Sequence, residues 1–131
     1  KGGIVPLADF VNMPYDRDIL VRVIVKKTAA HYSYKSVRIS KTDFPVLTCA
    51  AALTQEGVQA AVGARPAKAA LVKDAEKLAT LPMTAEKAQA FAEYAAGLLP
   101  TETNPRGSAA YRTHLIKVLT ARCLTELGGK A

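Results

Sequence analysis

The chain changes its hydrophobic period part-way along, and that change restricts the folds open to it. Before residue 65 the apolar residues come in short β-branched or alternating runs separated by turn-forming residues, and beyond it they recur at helical spacing on Ala-rich segments. Ile19 to Val25 (ILVRVIV) carries a single charge and reads as a strand buried on one or both faces. Tyr32 to Ser40 alternates polar and apolar side chains and reads as a second strand. Val46 to Leu53 forms a third, its Ala and Cys residues implying close packing against something bulky. After the turn signal Gln55-Glu56-Gly57, Val58 to Val62 returns as a fourth.

Pro66 suits the first turn of a helix because its missing N–H has no partner there anyway. Ala67, Leu71, Ala75 and Leu78 then follow at helical spacing. Leu81-Pro82-Met83 breaks this helix, and Thr84 caps a second one whose buried stripe is Ala88, Phe91, Ala92, Ala95 and Leu99. After the loop Pro100 to Gly107, Ser108 caps a third helix, in which Leu115, Leu119, Cys123 and Leu127 step by four until Gly128-Gly129 ends it. Strands followed by helices predict an α+β two-layer sandwich: an antiparallel meander of three to four strands, then three helices.

Composition removes several functional classes. The 131 residues suit one domain, and a hydrophobic fraction of 50% with 22% charged residues is ordinary for a globular chain. The net charge of +7 raises nucleic acid as a partner, but the longest cationic run is Lys26-Lys27 and there is no Trp for base stacking. A solvated basic surface is the expectation. Apolar stretches fall short of the roughly 20 residues a membrane-spanning helix needs. Cys49 and Cys123 belong to no C-x-x-C pair and read as buried reduced thiols of a cytoplasmic protein. His31 and His114 are isolated and suit surface positions better than a metal site. Ser36 and Ser40 lack a nucleophile elbow. Asp16 and Asp18 flank Arg17 in a solvated turn, and Gly63-Ala64-Arg65-Pro66 lacks the glycines of a phosphate loop.

A set of segments in fixed order carries more information. Leu20 to Val25 (LVRVIV), Tyr34 to Arg38 (YKSVR), Thr42 to Leu47 (TDFPVL), Val62 to Pro66 (VGARP) and Arg106 to Arg112 (RGSAAYR) together resemble the C-terminal domain of the flavoprotein subunit of molybdenum hydroxylases. That family includes carbon monoxide and xanthine dehydrogenases. The resemblance covers nearly the whole chain and implies a small antiparallel sheet covered by three helices. It also implies that residues 1–18, with Ile4 to Phe10 (IVPLADF), are the tail of a preceding FAD-binding region and that 19–131 are the domain itself. The chain starts without Met, which fits an internal cut.

The functional expectations follow from that resemblance. Lys35 matches a family lysine that reaches the flavin edge, and Leu20 matches an apolar residue of the same site, although a core role suits Leu20 too. An ammonium beside the isoalloxazine favours the electron-rich reduced flavin. The family often has an arginine pair after this lysine, where this chain has Arg38-Ile39-Ser40. Asp43 matches a recurrent acid and is expected to cap the turn before the third strand. Tyr111 and Arg112 are expected to pin the long loop to the sheet. The implied cofactor is FAD, held by the intact subunit rather than by this fragment, with molybdopterin and 2Fe–2S clusters on a large and a small partner subunit. The isolated fragment is expected to be non-catalytic. The competing reading is a stand-alone basic module for nucleic acid or an acidic protein, with Lys26, Lys27, Lys35 and Arg38 on one face.

Overall fold

A computed structural model describes residues 3–15, 17–28 and 30–129. The α+β architecture is as expected. Four strands, β1 (His31–Val37), β2 (Leu47–Thr54), β3 (Gly57–Gly63) and β4 (Ala70–Lys73), form one antiparallel sheet in the order β1-β2-β3-β4. A one-turn helix, α1 (Leu7–Phe10), precedes the sheet, and α2 (Ala85–Leu98) and α3 (Ala109–Gly128) follow it.

The β2–β3 hairpin is specified locally. Gly57 sits at φ +113°, a conformation that disfavours any residue with a Cβ. Thr54 Oγ1 donates to the Gly57 carbonyl at 3.0 Å and accepts the Glu56 N–H at 3.2 Å, fixing the register Thr54↔Gly57. The helix caps are equally local. Thr84 Oγ1 accepts the Lys87 N–H and Ser108 Oγ accepts the Tyr111 N–H, each filling one vacant position in a first turn.

Two predicted elements exchange their character. Ile19 to Val25 is not a strand: residues 17–28 have no regular secondary structure, and Ile19, Val21 and Val25 are more than four-fifths exposed. β-branched composition suits a pleated surface, but a strand is stable only with a ladder partner, and this run has none among the described residues. The predicted helix from Pro66 to Leu78 is absent as well, and β4 stands in its place. Its burial alternates, with Val72 inside and Leu71 half exposed. Val72 is the apolar residue that the helical stripe left out. Pairing from Gln59↔Lys73 to Val62↔Ala70 satisfies the edge of β3, and Asp74 then accepts the N–H groups of Leu78 and Ala79 at 2.9 and 2.8 Å. A helix at this position would leave those β3 groups without partners. One strand is lost and one gained, so the meander still has four.

The core lies between the inner face of the sheet and the two long helices. Leu47, Cys49 and Ala51 of β2, Val58, Ala60 and Val62 of β3, and Val72 of β4 face Leu115, Ile116, Leu119, Cys123, Leu124 and Leu127 of α3. Phe91, Ala88 and Ala95 of α2 close the other side, and the expected stripe of α2 is buried in full. Small side chains at Ala51 and Ala60 let α3 lie close on the sheet, as the Ala-rich strands predict. The outer sheet face carries Tyr34, Ala50, Ala61 and Leu71 in register, with Tyr34 and Leu71 exposed. Cys49 and Cys123 are both buried free thiols, as expected.

Candidate functional site

β1 alternates its side chains between the two faces, and this decides where Lys35 points. Ser33, Lys35 and Val37 share the helix-facing side, with Ser33 buried, while Tyr32 and Tyr34 are exposed on the other. At the sheet edge α3 does not fully cover the strand, so the Lys35 side chain runs past its flank with about 32% of its surface exposed. Its Nζ donates to Glu126 Oε2 at 2.7 Å, and Ser33 Oγ donates to the same oxygen at 3.0 Å. The hydrogen bond to Glu126 holds the Lys35 ammonium above the ordinary lysine range, with burial opposing it.

These residues border an open groove of about 550 Å³ between β1 and the two helices, with Gln89 from α2 and Arg122 and Thr125 from α3. An ammonium has three donors, and the bond to Glu126 uses one. The groove can therefore present a fixed cation to a polar ring edge or an anion.

Leu20 is not part of this groove. It lies on the irregular segment 17–28 at 64% exposure, so the core role considered for it is not realised. Glu126 is the residue that sequence reasoning missed. It lies 91 residues from Lys35, and nothing in the linear pattern couples an acid on the flank of one helix to a strand lysine so far away.

A second polar cluster holds the opposite end of the sheet. Arg112 is almost fully buried, and its Nε donates to the Val46 carbonyl at 3.0 Å. Its two terminal nitrogens reach the Glu102 carbonyl and Asn104 Oδ1, both at 2.6 Å, and the Gly107 carbonyl. The expected pinning of the loop to the sheet is therefore the work of Arg112. Tyr111 keeps its ring half exposed and contributes its backbone N–H to the Ser108 cap. Asp43 caps its turn as expected, accepting the Phe44 N–H at 2.7 Å, and also pairs with Arg106 at 3.5 Å. Arg106 lies over the Phe44 ring, and Arg38 donates to the Asp43 carbonyl.

His31 and His114 are exposed on β1 and α3, Asp18 accepts the Ile19 N–H, and Asp16 lies outside the described residues. No group of three or more His, Cys, Asp or Glu among the described residues is placed to hold a metal. No helix among them is long and apolar enough to cross a membrane. Of the four cations required by the basic-module reading, Lys35 is bound to Glu126 and Arg38 to the Asp43 carbonyl.

The family described as "CO dehydrogenase flavoprotein C-terminal domain" matches residues 32–127, which contain the sheet beyond His31, all of α2 and α3 up to Leu127. The chain belongs to this family. Solved structures show the same fold around this CO dehydrogenase flavoprotein C-terminal domain. Quinoline 2-oxidoreductase from Pseudomonas putida 86 superposes with a TM-score of 0.69 at 24% identity, over 79% of this chain and 39% of that one. The carbon monoxide dehydrogenase from Hydrogenophaga pseudoflava that lacks the Mo-pyranopterin moiety of its molybdenum cofactor gives 0.65 at 21% identity, over 79% and 38%. The chain thus spans well under half the length of either. A search of curated protein sequences found no match.

Proposed function

We propose that this domain belongs to an FAD-binding oxidoreductase subunit that passes electrons from molybdenum and iron–sulfur centres through FAD to an acceptor. Within it the domain walls one side of the flavin and supports subunit docking. The observation that carries the reading is the family match over residues 32–127, laid on a sheet whose edge presents Lys35. FAD supplies the electron-carrying isoalloxazine when bound. The residues here fit a wall rather than a nucleotide cradle: Lys35 has donors to spare beyond Glu126, and the turn at Gly63 has no glycine-rich loop. The role assigned to Lys35 is to hold positive charge at the flavin edge, with Glu126 and Ser33 fixing the ammonium in place. Leu20 would contribute an apolar contact from the segment before the sheet.

Residues 1–18 are assigned to the tail of a preceding FAD-binding region. Ile4, Leu7 and Phe10 before the sheet, and most of Ile19 to Val25, are exposed apolar side chains of the kind that dock against protein. The proposed partners are a molybdenum-binding large subunit carrying molybdopterin and a small subunit carrying 2Fe–2S clusters.

Lys35→Ala and Lys35→Gln in the intact subunit test the flavin assignment. A lower flavin midpoint potential or weaker FAD retention is expected in both, with the fold intact by circular dichroism. Unchanged potential and retention would remove Lys35 from the site. Tight stoichiometric FAD binding by the 131-residue chain alone would overturn the division of labour between this domain and a preceding region.

A further inference from the structure

Two donors of β1 converge on one carboxylate oxygen. Lys35 Nζ stands 2.7 Å from Glu126 Oε2 and Ser33 Oγ 3.0 Å from the same atom, and strand alternation puts both donors on the side that faces α3. Ser33 is buried, while the Lys35 and Glu126 side chains keep 32% and 39% of their surface exposed. A buried hydroxyl thus aims the Glu126 carboxylate at the strand, with its charge beside a partly exposed ammonium. An ion pair this open to water adds little to stability, so its main effect is on the charge that the groove presents.

The other polar side chains lining the groove have bonds within their own helices. Gln89 donates to Glu93 at 3.0 Å, and Thr125 donates to the Ala121 carbonyl at 2.9 Å. Arg122 stands one turn before Glu126 on α3, and its charge works against the Lys35 ammonium. Lys35 and Arg122 make the groove positive, and Glu126 is the one acid among the described residues that line it. The remaining donors of a tetrahedral ammonium point away from the bond it has already made. A group meeting those donors lies nearer the ammonium than the carboxylate, so Coulomb's law leaves it a positive field that is reduced but not cancelled.

We propose that Glu126 is a counter-charge that sets the reduction potential of the flavin, by offsetting part of the positive charge that Lys35 presents at the ring edge. This role rests on the assignment of Lys35 to the flavin edge, and it has a sign that mere positioning lacks. If Glu126 only positioned the ammonium, its removal would let the lysine swing away, and the potential would fall as it is expected to without the lysine. A counter-charge acts the other way. Its removal leaves more positive charge beside the electron-rich reduced ring and raises the potential. Glutamine separates the two cases, because its amide oxygen keeps an acceptor within reach of Lys35 Nζ and Ser33 Oγ while the charge is lost.

The test compares the intact FAD-loaded subunit carrying Glu126→Gln, Glu126→Asp or Lys35→Gln with wild type by anaerobic spectroelectrochemistry. Glu126→Gln is expected to raise the flavin midpoint by about 30 mV or more, a tenfold change in a two-electron equilibrium, whereas Lys35→Gln lowers it. Glu126→Asp restores the charge and should return the midpoint toward wild type. A second measurement needs no flavin. Side-chain NMR titration of the 131-residue chain should show Lys35 losing its proton at lower pH in Glu126→Gln than in wild type, because the carboxylate that favours the ammonium is gone. A Glu126→Gln midpoint that is unchanged or lowered, while Lys35→Gln lowers it, overturns the counter-charge and leaves the flavin assignment standing. An unchanged midpoint in Lys35→Gln overturns both. A Lys35 titration that Glu126→Gln leaves in place also overturns the counter-charge, because the pair is then not formed in solution.

Discussion

The Arg112 guanidinium donates from Nε to the carbonyl oxygen of Val46, 66 residues earlier in the chain, and so joins the start of α3 to the start of β2. The same group holds the loop between α2 and α3 through Glu102, Asn104 and Gly107. A buried guanidinium is tolerated here because its fork meets a ring of four oxygens that replace the hydration it gives up.

Arg112→Ala should therefore destabilise the domain by about 2–4 kcal/mol, since buried carbonyls left unsatisfied cost about 1–3 kcal/mol each and part of that loss is recovered by water. Arg112→Lys should recover less than half of it, because one ammonium cannot reproduce the fork. Urea unfolding of the three proteins measures both. A lysine variant as stable as wild type would contradict the clamp.

The exchange of helix for strand at Ala70–Lys73 makes opposite predictions for adjacent residues. Leu71→Glu should leave stability within about 0.5 kcal/mol, because Leu71 is half exposed on the outer face. Val72→Glu should cost about 3 kcal/mol or more, because it places a carboxylate in the core. Equal effects at the two positions would speak for the helical arrangement that the sequence spacing suggests.

Gly128 ends α3 where the chain passes Met83, and a Cβ there would lie 2.5 Å from Met83 Cβ. Gly128→Ala should cost about 1–3 kcal/mol through overpacking, despite the better helix propensity of alanine. Met83→Gly in the same background removes the clashing Cβ and should restore part of the loss. A stabilised Gly128→Ala protein would show that the two segments are not in contact.

Glu86 stands in the first turn of α2, where its own backbone N–H and then the Thr84 hydroxyl hold its carboxyl below the usual glutamate range. A carboxylate whose pKa is depressed by folding stabilises the protein above its unfolded pKa, and that contribution is lost as the pH falls through the folded value. Glu86→Gln should thus lower stability near neutral pH and flatten the decline with acid below about pH 4.3. Urea midpoints measured from pH 7 to pH 2 check the sign. An acid limb of unchanged slope would exclude Glu86 as a contributor.

How far the fold was legible depended on the distance over which each feature is determined. Thr84 and Ser108 were recognisable as caps because the groups they bond are three residues away. The Gly57 turn and the stripe of α2 are equally short-range, and both were placed correctly. The run from Ile19 to Val25 and the segment from Pro66 to Leu78 were misread because each satisfies a local pattern while its state depends on a partner. The first has no ladder among the described residues, and the second has the open edge of β3 beside it.

The amino-acid sequence alone determined the α+β class, the caps, the β2–β3 hairpin and a strand through Lys35, because turn chemistry, helix propensity and side-chain alternation act within a few residues. It also placed the family resemblance on segments that the structure distributes unevenly: most of YKSVR lies in β1 and the end of RGSAAYR opens α3, while LVRVIV lies outside the sheet. Only the tertiary structure decided that Lys35 meets Glu126 across 91 residues, that Arg112 reaches Val46, and that Cys49 and Cys123 touch. Those contacts arise where α3 lands on the sheet, and that landing is set by the combined volume of the small residues between them.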